Sequence, residues 1–393
     1  MMISRTAIVL GAAALLCASS SREAATGADS SRVLWQGPVF AGAAVVWSEE
    51  GGGTGSLRQW TRQRGERVLY SSDSLALTRP LAASRTLLAF ERTYPGCAPQ
   101  PNVVCPQVED ALVGPLHGPF RTLVRPRKCS MPTLGNTVAL DDGIAAYIDL
   151  DCDRQTLRVL VRDVGHGSKP LVVRDAAISG GCCRDVAIAG QFVAWSDRSE
   201  VVVYDRRARR VAYRARIGPG TGLDVDLGFD LQPDGKLAVA YRPVEFARAG
   251  PTTIEWFSPS APRPRVLALR GTTTRIRIAG DRIAFERFLS PKASFLVIAN
   301  LAGRAQAVAR FAPPVQLRSG FDFDGHRIAW ASTRITATRV DCPPPGQGRP
   351  CVRRESGVTS IWLRAAAGGT RRLIALLPFV DTIVRGLKEL SPR

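Results

Sequence analysis

The sequence has little of the chemistry that most catalytic and metal sites need. Its three histidines, His117, His166 and His326, lie far apart in the chain, and no C-x-x-C motif occurs. A hydrolytic triad needs a histidine base beside a nucleophile, but the G-x-S-x-G motif is missing. Phosphate-binding loops and dinucleotide fingerprints are missing as well. The sequence therefore predicts no catalytic residue, no bound metal and no cofactor.

Lysine is also scarce. Only five of the 53 basic residues are lysines, and the arginines dominate a net charge of +19. A positive charge of this size could attract anionic wall polymers, lipid headgroups or nucleic acid. Here the basic residues are spread along the chain, with only short runs such as residues 206–210. This spread favours a compositional origin, and we expect no nucleic-acid partner.

Long apolar runs are absent except at the start of the chain. Arg5 precedes the apolar or small run Ala7–Cys17, and small residues follow at 18–20 and again at 26–28. This pattern is typical of a secretory signal peptide, which we assign to residues 1–28. A membrane span needs about 20 apolar residues, so no transmembrane segment is predicted. Secretion or a cell-envelope location is expected. Cys17 allows lipidation, although Leu16 departs from the small residue that usually precedes a lipidated cysteine.

Nine cysteines are present, and eight remain once the signal peptide is removed. An even number in an exported chain predicts disulfide bonds. Metal binding would need cysteines and histidines clustered at ligand spacing, which the sequence lacks. The candidate disulfide cysteines are Cys97, Cys105, Cys129, Cys152, Cys182, Cys183, Cys342 and Cys351.

One unit recurs seven times: a short turn, an apolar run and an aromatic residue that closes the run. The turn usually contains Asp-Gly or Ala-Gly, which tolerate the positive φ of tight hairpins. The closing aromatics lie 43, 57, 48, 46, 44 and 45 residues apart. A period of about 40 to 50 residues is typical of propeller blades with four strands each. The seven closing residues are Trp47, Phe90, Tyr147, Trp195, Tyr241, Phe285 and Trp330.

The sequence therefore predicts an all-β protein in which residues 29–393 form a single β-propeller with a short C-terminal tail. Seven four-stranded blades are expected, and six or eight are alternatives. Two tandem β-sandwiches would not explain a shared turn-and-aromatic signature. Residues 32–35 and 379–384 are candidates for a strand that closes the ring, and the sequence does not choose between them. The units lie near residues 33–72, 76–125, 134–175, 184–217, 226–270, 275–311 and 318–376.

Two of the units carry a more specific signature. Residues 232–241 read Gln-Pro-Asp-Gly-Lys and end at Tyr241, and residues 323–332 read Phe-Asp-Gly-His-Arg and continue through Trp330. These segments resemble the WD40-like (PD40) repeats of TolB-type propellers. The resemblance implies a propeller fold and a binding role. TolB-type propellers usually have six blades, and a helical domain precedes the propeller in TolB itself, whereas this chain has seven units and no room for such a domain.

The predicted strands place every mature cysteine on one face of the disc. Loops between second and third strands share a face with the connections between blades, because successive strands run antiparallel. Cys97 with Cys105, and Cys342 with Cys351, would each close a loop of about ten residues. Cys182 and Cys183 are adjacent, so a bond between them would be strained. One of them is expected to pair with Cys129 and the other with Cys152, in either order.

Two runs of aspartate are the remaining candidates for chemistry. Asp149, Asp151 and Asp153 form one run, and Asp224, Asp226 and Asp230 form the other. Paired carboxylates could serve a glycosidase or hold calcium. Neither run has the calcium-loop pattern, and solvated aspartates at strand ends are the simpler interpretation.

Two functional hypotheses follow. The first is an exported, monomeric, non-enzymatic propeller that binds a protein, a peptide or an envelope glycan through a disulfide-stapled face. The second is a propeller enzyme with its site in the central channel, either a glycan hydrolase or lyase or a metal- or quinone-dependent enzyme. The second hypothesis predicts carboxylates or an ion at the channel axis.

Overall fold

The computed structural model confirms the predicted propeller. It describes residues 33–51, 54–72, 77–95, 107–127, 137–151, 153–177, 182–198, 200–217, 225–245, 248–249, 252–268, 272–290, 293–300, 302–342 and 351–385. Within these residues the strands form seven sheets, each with a ladder of four antiparallel strands that follow one another in the chain. These sheets are the seven blades. The predicted signal peptide lies outside the described residues, which contain no helix that could cross a membrane.

The strands of blades 1 to 3 are β1 (Val33–Ala41), β2 (Ala44–Gly51), β3 (Thr54–Thr61) and β4 (Gly65–Ser72); β5 (Leu77–Ala83), β6 (Leu87–Pro95), β7 (Gln107–Pro115) and β8 (Arg121–Arg127); and β9 (Val138–Asp141), β10 (Ile144–Asp151), β11 (Thr156–Asp163) and β12 (Leu171–Ala177). Blades 4 and 5 comprise β13 (Cys182–Ala189), β14 (Phe192–Asp197), β15 (Glu200–Asp205) and β16 (Arg210–Arg216); and β17 (Val225–Leu231), β18 (Leu237–Glu245), β20 (Thr253–Ser258) and β21 (Ala261–Ala268), with the short β19 (Arg248–Ala249) beside β18. Blades 6 and 7 comprise β22 (Thr272–Ala279), β23 (Arg282–Ser290), β24 (Ala293–Asn300) and β25 (Ala305–Phe311); and β26 (Val315–Phe323), β27 (Arg327–Asp341), β28 (Cys351–Ala365) and β29 (Arg372–Arg385).

The turn between the first two strands of each blade has the geometry that its residues favour. In six blades a glycine in this turn has a positive φ, for example +56° at Gly42 and +90° at Gly325. Blade 2 has no glycine here and uses a serine, because the backbone N–H of Leu87 donates to Ser84 Oγ at 3.1 Å. We call the face that carries these turns the turn face, and the opposite face the loop face.

The closing aromatic of the repeat fills a buried slot between neighbouring blades. Trp47, Phe90 and Phe285 are completely buried, and Trp330 is 1% exposed. Blade 5 differs, because its longer apolar run places Val239 opposite Phe229 in the slot. Tyr241, two residues later, is half-buried and donates its hydroxyl to Glu255 at 2.8 Å. The prediction that Tyr241 is the counterpart of the other aromatics is therefore wrong.

Seven apolar clusters join the blades into a closed ring. Each cluster combines buried side chains from two adjacent blades, so that a sheet buries its two faces against its two neighbours. The first strand of each blade contacts the first strand of the next, including β26 with β1. These seven first strands surround the central channel.

The ring closes without an exchanged strand, so the expectation of a closing strand is wrong. β1 is the innermost strand of blade 1, and β29 is the outermost strand of blade 7. Leu34, Trp47 and Trp60 of blade 1 pack with Ile361 and Leu377 of blade 7. Side-chain packing and hydrogen bonds therefore hold this junction, which we call the seam.

Polar contacts reinforce the seam on the turn face. Asp322 Oδ2 accepts the backbone N–H of Phe40 at 2.7 Å. Arg327 donates Nη2 to Gly42 O at 2.6 Å and Nη1 to Ala43 O at 3.3 Å. Its guanidinium also lies 4.5 Å from the ring centroid of Phe40. Arginine provides both the planar stacking surface and the several donors that this junction uses.

Blade 7 extends beyond the ring on the loop face. β27 and β28 have 15 residues each and β29 has 14, whereas no strand of another blade exceeds nine. The sequence predicted that Cys351 ends a loop, whereas in the structure the backbone of Cys351 begins β28. Arg334 pairs with Val315, the first residue of β26, so the longer strands continue past the inner strand. We call residues 335–342, 351–358 and 378–385 the arm.

Gly357 allows the strands of the arm to approach each other. A Cβ atom at this position would lie 2.0 Å from the backbone oxygen of Arg334, next to the bulge between Ile335 and Ala337. Gly357→Ala must move the backbone, and we expect a loss of about 1–3 kcal/mol and faster hydrogen exchange across the arm. Gly165→Ala is the control, since its Cβ would only approach Asp163 Oδ1 at 3.5 Å. Equal exchange in the two variants would contradict this steric account.

Candidate functional site

The central channel has one mixed polar and apolar level near the turn face. Each blade contributes one residue of its first strand to this level. That residue pairs with the second-strand residue that directly precedes the side chain filling the buried slot. The seven residues all line a cavity of about 140 Å³. Blades 1 to 4 contribute Val39, Ala82, Ala139 and Ala187, and blades 5 to 7 contribute Asp230, Arg277 and Asp322.

The three charged residues of this level come from consecutive blades. Arg277 Nε lies 3.0 Å from Asp322 Oδ1, and its Nη1 donates to the backbone oxygen of Ile276 at 3.1 Å. Asp230 Oδ2 accepts the backbone N–H of Ile278 at 2.7 Å. Asp230 and Asp322 thus each accept a backbone N–H from the next blade, which links the ring, and both also face the channel.

The channel shifts the pKa values of these groups. Removal from water raises the pKa of Asp230 to about 6, despite attraction from Arg277 and the hydrogen bond from Ile278. Burial acts to lower the pKa of Arg277, but attraction from Asp230 and Asp322 outweighs it and the net shift is upward. Arg277 is therefore a permanent cation, and Asp230 is a carboxylate that takes up a proton in mildly acidic solution.

The channel wall formed by blades 5 to 7 is thus charged. Of the predicted aspartates Asp224, Asp226 and Asp230, one described side chain lines this wall. Asp224 lies outside the described residues and the side chain of Asp226 is not described, whereas Asp230 lines the cavity. Carboxylates at the axis were expected for a channel enzyme. Within the described ranges, no group of three histidine, cysteine, aspartate or glutamate side chains could hold a metal ion.

Asp149, Asp151 and Asp153 lie at the end of the hairpin formed by β10 and β11, in agreement with their interpretation as solvated aspartates at strand ends. Arg158 Nη2 is 2.7 Å from Asp149 Oδ2, and Arg158 Nη1 is 3.8 Å from Asp151 Oδ2. Asp153 is exposed in the turn between β10 and β11. These carboxylates make ordinary surface ion pairs.

The three histidines are distributed over three blades, as the sequence predicts. His117 contacts Arg67 Nη2 through Nε2 at 3.1 Å, and His166 Nδ1 lies 2.9 Å from Asp163 Oδ2. The backbone N–H of His326 donates to Asp324 Oδ1 at 2.9 Å in an exposed turn. The structure does not bring these histidines together.

Only part of the predicted cysteine face can be placed. The backbones of Cys182 and Cys183 begin β13 at the loop face. At the same face, Cys342 directly follows the end of β27, and Cys351 is the first residue of β28. Cys342 is disulfide-bonded. Asp341 pairs with Val352, so Cys351 stands opposite Cys342 in the ladder. The pairing of these two cysteines stays a prediction, and Cys97, Cys105, Cys129 and Cys152 lie outside the described residues.

The arm presents a second candidate surface. β26 stops pairing with β27 at Arg334, and the backbone N–H of Ile335 still donates to Pro314 O at 2.9 Å. Beyond Ile335, β27 has no paired strand on that side among the described strands. Among the described side chains of the arm, Arg339 and Arg354 are exposed cations, and Arg334 is exposed just before the arm begins. Asp341 is the nearby half-buried acid, 2.6 Å from Arg339 Nε and 3.6 Å from Arg354 Nε.

Arg277 and Asp322 did not emerge from the sequence as site residues. The signal that could have found them is the register of the repeats. When the inner strands are aligned on their turns, one position reads Val, Ala, Ala, Ala, Asp, Arg, Asp from blade 1 to blade 7. Charged residues at a repeat position that is small and apolar in the other blades indicate a functional role for those residues. Because the three residues occupy the same position of the repeat, they are expected to lie at one level of the channel.

Comparisons with known proteins support the fold. No family model matches this chain, and no curated protein matches it, so the TolB-type resemblance stays a prediction. Among solved structures, prolyl oligopeptidase B from Galerina marginata matches with a TM-score of 0.55 and 9% identity, over 90% of this chain and 51% of that one.

A solved structure of a prolyl endopeptidase also matches, with a TM-score of 0.52 and 13% identity, over 87% of this chain and 54% of that one. The chain spans about half the length of these peptidases. The β-propeller domain of the trilobed protease from Pyrococcus furiosus matches over 98% of its own length and 76% of this chain, with a TM-score of 0.46 and 9% identity. Likenesses at these identities concern the fold alone and do not distinguish a binding role from an enzymatic one.

Proposed function

We propose that this protein is an exported, non-enzymatic propeller that captures an extended, acidic segment of a partner protein along the arm of blade 7. The observation that carries the proposal is the edge of β27 beyond Ile335, which pairs with no strand on that side among the described residues, on a strand longer than those of the other six blades. An unpaired strand edge offers backbone donors and acceptors to an added strand.

Charge supports an acidic partner. Arg339 is 80% exposed and Arg354 is 64% exposed, so both can reach a bound segment. Glu355, the other acid described here, is buried and lies within an ion pair of 2.5 Å with Arg353. The accessible charge of the arm is therefore mainly positive, and it favours carboxylate side chains on the added strand.

The disulfide bond of Cys342 supports the same proposal, because it stabilises the arm at the point where the two longest strands end. A rigid strand edge loses less conformational entropy on binding than a mobile loop does. The signal-peptide pattern, with the oxidising compartment it implies, is consistent with such a bond. Export and the pairing of Cys342 with Cys351 belong to the proposal.

The test uses fluorescence anisotropy with a labelled heptapeptide of alternating glutamate and valine. We expect salt-sensitive binding to the full chain. Reversing both exposed charges, Arg339→Glu with Arg354→Glu, should weaken binding roughly tenfold, because exposed ion pairs contribute up to about 1 kcal/mol each. The matched control is Arg207→Glu with Arg210→Glu, which makes the same charge change at exposed positions on the turn face.

A second variant tests the edge itself. Residues 336–356 are replaced by Asn-Gly, which joins the paired residues Ile335 and Gly357 through a two-residue turn. Peptide binding should be lost while the circular-dichroism spectrum of the propeller is retained. Unchanged binding in this variant, or equal binding of a lysine–valine heptapeptide to the full chain, would overturn the proposal.

A further inference from the structure

Asp230 differs from the other channel carboxylate in its partners. Asp322 is paired with Arg277, whereas Asp230 has no ion pair among the described residues. Among the described residues, its oxygens accept backbone N–H groups from Ile278 at 2.7 Å and from its own neighbour Leu231 at 3.1 Å. The second contact lies within adjacent residues and leaves Asp230 Oδ1 with further acceptor capacity.

Arg277 attracts Asp230, but the two form no ion pair among the described contacts. Nε is held by Asp322 and Nη1 by the backbone oxygen of Ile276. Two further charged groups act on this level of the channel, Asp185 on β13 and Arg275 on β22. The described charges that act here thus include three aspartates and two arginines, and Glu286 acts in turn on Arg275.

The opposite wall of the same cavity is aliphatic. Val39, Ala82, Ala139 and Ala187 are half-buried residues that line it, and none carries a polar side chain. The cavity volume of about 140 Å³ admits a group of several non-hydrogen atoms. The chemistry that fits both walls is a cation at one end of a short aliphatic chain.

We propose that the channel binds a primary ammonium group on a short aliphatic chain, with Asp230 as its counter-ion and the alanine wall against its hydrocarbon part. An ammonium group donates in three directions and would form with Asp230 the direct ion pair that no described residue makes. A carboxylate ligand would meet Asp230 and Asp322 at close range and be repelled. This site lies at the turn face and is independent of the arm.

Binding should depend on pH. The described charges that act on Asp230 are Arg277, which stays charged, and Asp322, which is fixed in its ion pair. Asp185 and Arg275 act on Arg277. With a pKa of about 6, Asp230 is about one-tenth ionised at pH 5 and almost fully ionised at pH 7.5. Affinity for a cation should therefore fall roughly tenfold between pH 7.5 and pH 5.

The experiment is saturation-transfer NMR on the full chain with butylammonium, butyramide and butyrate at both pH values. Butylammonium is expected to bind at pH 7.5, and binding should be lost in Asp230→Asn. Asp234→Asn is the matched control, since it makes the same change on the same blade at an exposed turn residue paired with Lys236 at 2.6 Å. The propeller of both variants is checked by circular dichroism.

Two peptides identify the source of the ammonium group. Ala-Ala-Val with a free amino terminus is compared with its N-acetylated form. Tighter binding of the free peptide than of butylammonium supports the amino terminus of a peptide as ligand, and tighter binding of butylammonium supports a small amine. Equal binding of butyramide or butyrate, retained binding in Asp230→Asn, or no binding of any amine would overturn the proposal.

Discussion

Asp230→Asn is expected to make the protein more stable at pH 7.5, by about 2–3 kcal/mol. In the folded protein the pKa of Asp230 is raised to about 6 from its ordinary value of 3.8, because the channel removes the carboxylate from water. Each pKa unit corresponds to about 1.4 kcal/mol. Asparagine is neutral at every pH and its amide oxygen can still accept the N–H of Ile278, so the variant avoids the cost of a buried charge.

The pH dependence identifies the group. A carboxylate with a raised pKa binds a proton more tightly in the folded state than in the unfolded state. Its unfavourable contribution is absent below about pH 4, grows between about pH 4 and pH 6, and is complete above pH 6. The difference in stability between Asp230→Asn and the unsubstituted protein should follow this curve, as measured by urea unfolding at pH 4, 5, 6 and 7.5.

Asp234→Asn serves as the control for stability as well. The pKa of Asp234 is shifted in the opposite direction: burial raises it, but hydrogen bonds and attraction from Lys236 outweigh burial and lower it overall. Its ionised form is favoured in the fold, so this variant should not gain stability at pH 7.5. If Asp230→Asn were no more stable than the unsubstituted protein, the channel would not impose a cost on the Asp230 charge.

Trp47→Ala is expected to cost about 3–5 kcal/mol, because it removes a completely buried indole from the seam. The substitution also removes the hydrogen bond from Trp47 Nε1 to Glu49 Oε1 at 2.8 Å. Glu49 is itself 1% exposed, and a buried acceptor that loses its donor adds to the loss. Thermal and urea unfolding measure the total effect.

Trp330→Ala separates the seam from an ordinary blade junction. Trp330 is 1% exposed and fills the equivalent slot between blades 6 and 7, where its Nε1 has no hydrogen-bond partner among the described residues. Both variants should lose stability, but only Trp47→Ala should speed hydrogen exchange at the Phe40 amide, which donates to Asp322 across the seam. Equal exchange at Phe40 in the two variants would show that the seam does not open separately.

Local chemistry made the blades predictable. A turn residue such as Gly42 or Gly325, followed by an apolar run and an aromatic, specifies a hairpin without help from distant residues. Ser84 shows that the same turn can form with another residue, since its hydroxyl closes the turn in blade 2. Tyr241 was misassigned because two extra residues in the apolar run shift the register, and only the pairing partner reveals such a shift.

The arm could be predicted only in part. Residues 335–340 read Ile-Thr-Ala-Thr-Arg-Val, which is compatible with a strand, but the cysteines and the proline run at 343–345 favour a loop. The strands continue because three segments pair with one another past the end of β26. Such pairing is a contact between segments distant in sequence, and no single segment specifies it.

The sequence by itself determined the seven repeated hairpins, because each depends on residues within a few positions of one another. The tertiary structure decided how the ring closes and what meets at its axis. Trp47 and Leu377 share one cluster across the seam, although more than three hundred residues separate them in the chain. Asp230, Arg277 and Asp322 lie one blade apart in sequence and meet because the ring brings equivalent inner-strand positions to one level of the channel.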